Sequence, residues 1–96
     1  MKCPETIHVV FFEENIELKY DGADAVNLMG LWRNSDLSIT ASIFEHSFLG
    51  GFDLVLCVGD IVVTKINFDY KNEDISAAVN GLFKKIEFSL HKIVHK

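Results

Sequence analysis

The sequence predicts an α+β domain of ββαβββα order, with a five-stranded, mostly antiparallel sheet, one short helix and a long amphipathic C-terminal helix. Three observations carry this. A chain of 96 residues with 49% hydrophobic content has room for one core and one domain, spanning 1–96 with residues 1–5 frayed. Several segments alternate apolar and polar residues with the period of two expected of strands. The last quarter of the chain repeats apolar residues with the period of 3.6 expected of a helix.

The elements follow in chain order. Ile7–Phe12 is apolar on both parities, which predicts a strand covered on both faces and hence a central one. Glu13-Glu14-Asn15 supplies a turn, and Ile16, Leu18 and Tyr20 then alternate with Glu17 and Lys19 as a strand with one wet face. Asp21-Gly22 breaks it. Ala25, Leu28, Met29 and Trp32 fall at i, i+3, i+4 and i+7, which predicts a short helix from Ala23 to Arg33, weakened by Gly30. Asn34-Ser35-Asp36 closes that helix. Leu37, Ile39, Ala41 and Ile43 then alternate with Ser38, Thr40 and Ser42 as a half-exposed strand. A loop runs from Glu45 to Gly51.

Phe52–Val58 and Val62–Tyr70 form a hairpin around Gly59-Asp60. A three-residue loop or a bulge is preferred to a plain two-residue turn. It pairs Val58 with Val62, Leu56 with Thr64, Leu54 with Ile66 and Phe52 with Phe68, and keeps Asp53, Lys65 and Asn67 together on the other face. In the last element, Ile75, Val79, Leu82, Phe83, Ile86, Leu90 and Ile93 trace one helical stripe. Asn72 caps it, and Glu73 and Asp74 in its first turn favour its dipole. A second apolar set, Val55, Cys57, Ile61 and Val63, faces away from the even positions of the hairpin. The short helix, a partner or a second copy is needed to cover it.

Composition narrows the function. Fourteen acidic against nine basic side chains give a net charge of −5, which disfavours direct binding to nucleic acid or to an anionic membrane. The N-terminus lacks the shape of a signal peptide, and no stretch approaches the ~20 apolar residues that span a bilayer. Cys3 and Cys57 have no CxxC or zinc spacing and fit a reducing, cytoplasmic setting. Gly50-Gly51 lacks the spacing and the lysine of a phosphate loop. His91 and His95 are spaced i, i+4 but fall on the wet side of the last helix. No catalytic residue, cofactor site or metal site is predicted, and the protein is not expected to be an enzyme.

The candidate site is therefore a contact surface. Glu13, Glu14, Glu17, Asp21 and Asp24 cluster around the first hairpin and its exit as a negative patch able to steer a basic partner. Trp32, the loop residue His46, and Phe48-Leu49 beside it are candidate anchors. The element order resembles that of longin-like and roadblock-like domains, which serve as interaction modules. In size, acidity and general features the chain is similar to bacterial immunity proteins. That likeness implies a small inhibitor of a basic macromolecule, such as a toxin nuclease or, for a phage anti-defence protein, a defence effector. The alternative expectation is a homodimeric structural or regulatory module using Val55, Cys57, Ile61 and Val63.

Overall fold

Six segments carry enough β-branched and aromatic residues, and enough alternation, to ladder one after another. In a computed structural model they form a single antiparallel sheet. The structure describes residues 3–23, 28–45, 51–68 and 74–94. The strands are β1 (Thr6–Phe11), β2 (Glu14–Gly22), β3 (Leu28–Asn34), β4 (Ile39–Glu45), β5 (Phe52–Val58) and β6 (Ile61–Phe68), and the helix is α1 (Ile75–Val94). Each strand pairs with the next in the chain, in the order β1-β2-β3-β4-β5-β6. The sheet curls into a half-barrel and α1 packs on its inner face.

The expected five-stranded ββαβββα order is thus corrected to six strands and one helix, so the resemblance in element order to longin-like and roadblock-like domains lapses. The segment expected to be helical is β3, paired with β2 through Tyr20↔Trp32 and with β4 through Trp32↔Ala41 and Arg33↔Thr40. Tertiary pairing outweighs a weak helical stripe here. A helix at this place would leave two inner strand edges without partners, and Gly30 disfavours it further. The helical stripe is a by-product of a β-bulge between Leu28 and Gly30, which breaks the strict alternation.

The core lines the inner face. Ile7 and Val9, Ile16 and Leu18, Trp32, Ile39, Ala41 and Ile43, and Leu54 and Leu56 project inward, and Ile75, Val79, Leu82 and Phe83 of α1 meet them. Trp32 is the largest of these and has no exposed surface. Its indole N–H donates to the Pro4 carbonyl at 2.7 Å, so the polar tip is satisfied where it is buried. Tyr20 meets its ring edge-on at 5.5 Å. A Cβ at Gly30 would stand 2.6 Å from the indole, so the glycine is the seat of the tryptophan and not a flaw in a helix.

Other boundaries move for physical reasons. β1 is an edge strand, not a central one. Its outward residues His8 and Val10 are exposed, and Phe12 belongs to the turn. That turn is Phe12-Glu13, since Phe11 pairs with Glu14. Leu37 is half-exposed in the turn before β4, leaving Ile39, Ala41 and Ile43 as the inward set. The β5–β6 register agrees with expectation at Phe52↔Phe68, Leu54↔Ile66 and Leu56↔Thr64. The loop is the two-residue Gly59-Asp60 with a bulge behind it, so Val58 pairs with Ile61 and Cys57 with Val62. Gly59 has φ +60° at the first turn position, which suits a glycine-first hairpin turn.

The α1 stripe buries Ile75, Val79, Leu82 and Phe83 and half-buries Ile86, whereas Leu90 is exposed. The Asp74 carboxylate caps the helix start, accepting the Ser76 N–H at 2.9 Å. Asn72 and Glu73 lie outside the described residues, as do the side chains of His91 and His95. No helix among the described residues is long and apolar enough to cross a membrane.

Candidate functional site

The acidic residues of the first hairpin do not share a face. Ile16 and Leu18 point inward, so strand alternation sends Glu17, Lys19 and Asp21 outward and leaves Glu14 on the inner rim opposite Phe11. Glu13 stands at the tip. On the outer face Lys19 separates Glu17 from Asp21 and lies directly opposite Arg33. Arg33 reaches Asp21 at 3.5 Å, with both side chains about half exposed (48% and 51%). The side-chain amide of Asn34 donates to the Glu17 carbonyl at 3.1 Å and ties the end of β3 to β2. An open polar groove of about 540 Å³ runs over these groups, lined also by Tyr20, Ser35 and Asp36. Three carboxylates (Glu17, Asp21 and Asp36) and two cations (Lys19 and Arg33) line it, so the expected negative patch is a mixed-charge surface along β2.

Of the other candidates, Trp32 is wholly interior and offers nothing to a partner. Asp24, His46, Phe48 and Leu49 lie outside the described residues.

Among the described residues three non-glycines have a left-handed backbone, Ser38 in the turn before β4 and two neighbours at the tip of the first hairpin. Phe12 and Glu13 have φ of 49° and 67°. A two-residue hairpin turn with both central residues in the left-handed region is the ordinary province of Asn-Gly and Asp-Gly. For residues with a full side chain, that conformation costs roughly 1–2 kcal/mol each. The turn is held by aromatic packing from below. The rings of Phe12 and Phe11 meet edge-on at 4.8 Å, and Phe11 meets Phe83 of α1 edge-on at 5.4 Å. Phe12 nonetheless remains 45% exposed.

Beside the tip, β1 and α1 enclose a shallow groove of about 690 Å³ lined by Val10, Glu13, Asn80, Lys84, Glu87 and Phe88. Val10 is 51% and Phe88 70% exposed. Three exposed apolar side chains, Val10, Phe12 and Phe88, therefore lie near Glu13 and Glu87, with Lys84 as the cation lining the same groove. Val10, Phe12 and Phe88 are absent from the sequence-based candidates. Phe88 was legible by default, because it falls off the buried stripe of α1. Phe12 was not, because Phe-Glu carries none of the usual turn chemistry.

Among the described residues, no three His, Cys, Asp or Glu side chains converge as metal ligands. No protein-family model, no curated protein and no solved structure matches the chain.

Proposed function

We propose that the protein is a binding module that acts by direct contact with a basic macromolecule, presenting the tip of the β1–β2 hairpin. The strained Phe12-Glu13 turn carries this reading. Backbone strain that costs folding free energy collects at sites where a displayed side chain has a use. Here it lifts an aromatic ring and a carboxylate to the apex of a hairpin. Val10 and Phe88 extend the apolar area, and Glu87 extends the negative charge. An apolar centre ringed by carboxylates suits a partner whose own site is basic with an accessible apolar pocket. A nuclease toxin, whose cleft is built to hold phosphates, has that chemistry. The narrower form of the proposal is accordingly an immunity-type or anti-defence inhibitor that neutralises such an enzyme by occluding it.

The test is affinity purification of the tagged protein from its native host at low salt, run in parallel for the natural chain and for a Phe12→Asn, Glu13→Gly double variant. That variant keeps the hairpin and removes the displayed groups. The reading expects a stoichiometric complex with a basic protein that dissociates as salt rises, and that the double variant fails to retain. Recovery of the same complex by both chains, with the same salt dependence, refutes the hairpin tip as the docking site.

A further inference from the structure

Neither packing nor backbone geometry requires a glycine at Gly81, inside α1. A Cβ there would meet nothing within 4 Å, and the backbone is helical. Alanine would fit and is the better helix former. The residue before it is Asn80, and Asn80-Gly81 is the one Asn-Gly step in a chain with six asparagines. Asn80 is also the residue that ties α1 to the edge of the sheet. Its side-chain amide donates to the His8 carbonyl of β1 and to the Ser76 carbonyl one turn back, each at 2.9 Å. A glycine that packing does not ask for thus follows the asparagine that seals β1.

An Asn-Gly step carries chemistry of its own. The Gly81 nitrogen can attack the side-chain carbonyl carbon of Asn80. A bond forms from that nitrogen to Cγ, and the Cγ–Nδ2 bond breaks. The Gly81 proton passes to solvent, and Nδ2 takes one up and leaves as ammonia. Water then opens the succinimide at one carbonyl to give isoaspartate or at the other to give aspartate. Water is the one co-reactant. Glycine permits the attack because it has no Cβ to crowd the ring. Within α1 the step is blocked twice. The Gly81 N–H is held in the helical ladder by the Ala77 carbonyl. The Asn80 amide is held by its two acceptors. Both must let go together, which requires local opening of the helix. Gly81 eases that opening too, because it weakens the helix at this turn.

We propose that Asn80-Gly81 is a self-modification site, which deamidates through a succinimide at a rate set by local opening of α1 and thereby unseals the free edge of β1. Neither product keeps a donor at this position. Aspartate turns a carboxylate toward the His8 carbonyl, and isoaspartate adds a backbone atom that breaks the helical register. The groove lined by Val10, Glu13, Asn80, Lys84, Glu87 and Phe88 gains one negative charge. The closed form of this edge therefore has a lifetime written into the chain. The inference does not depend on what the Phe12 tip contacts.

Ageing the full chain at neutral pH, with and without urea, tests it. Peptide mass mapping reads conversion at each asparagine, and isoaspartyl methyltransferase labelling counts the isoaspartate. In urea Asn80 should convert ahead of the other asparagines. In the native chain it should convert more slowly, by on the order of tenfold or more, because opening must come first. Gly81→Ala adds a methyl group in open space and should slow native conversion again by on the order of tenfold. The converted chain separates from its parent on anion exchange by its added charge. Hydrogen exchange should then show β1 amides losing protection before those of β4 and β5. A native Asn80 that survives no less well than in the Gly81→Ala chain overturns the inference. So does conversion at equal rates with and without urea, or a converted chain whose β1 amides keep the protection of the parent.

Discussion

The two edges of the sheet are built to opposite specifications. Along β1 the helix closes the edge. Asn80 donates a side-chain hydrogen bond to the outward carbonyl of His8 at 2.9 Å, and Phe83 packs against Phe11. Along β6 the helix only borders the edge. Lys85, Ile86, Ser89 and Leu90 face Val63 and Thr64 across an open groove of about 400 Å³. One terminal helix can close one edge of a half-barrel, and here it closes the edge at the first hairpin in the chain. The closed edge ends in a strained, aromatic tip; the open edge carries unstrained but exposed aliphatic residues. The packing of the helix is thereby concentrated at one side of the molecule and sparse at the other.

The sharpest way to break this contrast is to compare one deletion on each side. Phe83→Ala removes a ring that is 3% exposed and undoes its contact with Phe11, and should cost about 3–5 kcal/mol. Val62→Ala, at an exposed position of β6, should stay within about 0.5 kcal/mol in the monomer. Urea unfolding at low protein concentration reads both. Equal losses would mean that the two edges contribute alike and that the asymmetry is only visual.

Next in size is the turn at the closed edge. Replacing Phe12-Glu13 by Asn-Gly relieves two left-handed residues of their steric conflict and should stabilise the fold by about 1–2 kcal/mol. Because this chain has 96 residues, that gain should appear as a thermal midpoint raised by roughly 4–8 °C per kcal/mol. A destabilised variant would show that the Phe12–Phe11–Phe83 stack outweighs the strain, and the argument from strain to function would lose its basis. A stabilised one places stability and contact in opposition at this tip.

The same contrast explains what could be read from the sequence. Helix α1 was legible because Ile75, Val79, Leu82 and Phe83 repeat with a single period over several turns, and no other arrangement buries them together. The β5–β6 register was legible because Leu54, Leu56, Thr64 and Ile66 must share a face, and a one-residue slip would expose them all. β3 was not legible, since its bulge at Leu28–Gly30 imitates a helical stripe and Gly30 looks like a defect until Trp32 is seen lying over it. β1 read as central because Val10 and Phe12 are apolar; composition cannot separate a residue that is buried from one that is displayed. The candidate site suffered most. The acidic residues were visible as types, but the parity that divides Glu14 from Glu17, and the Arg33 that engages Asp21, depend on strand boundaries two residues from where the pattern put them.

The smallest of these effects isolates the closure itself. Asn80 donates both to His8 and to the Ser76 carbonyl one turn back, each at 2.9 Å, so its amide bridges the helix to the free side of β1. Asn80→Ala leaves the His8 carbonyl to water and should cost about 1 kcal/mol, near the net value of one hydrogen bond. Asn80→Asp keeps the shape but turns a carboxylate toward that carbonyl, and should cost somewhat more. Hydrogen exchange followed residue by residue separates a local effect from a global one. If the bond seals the edge, amides of β1 lose protection in both variants before those of β4 and β5 do. Uniform loss across the sheet would show that Asn80 only adds to the overall stability. The closed edge would then owe its closure to the packing of Val79, Leu82 and Phe83 alone.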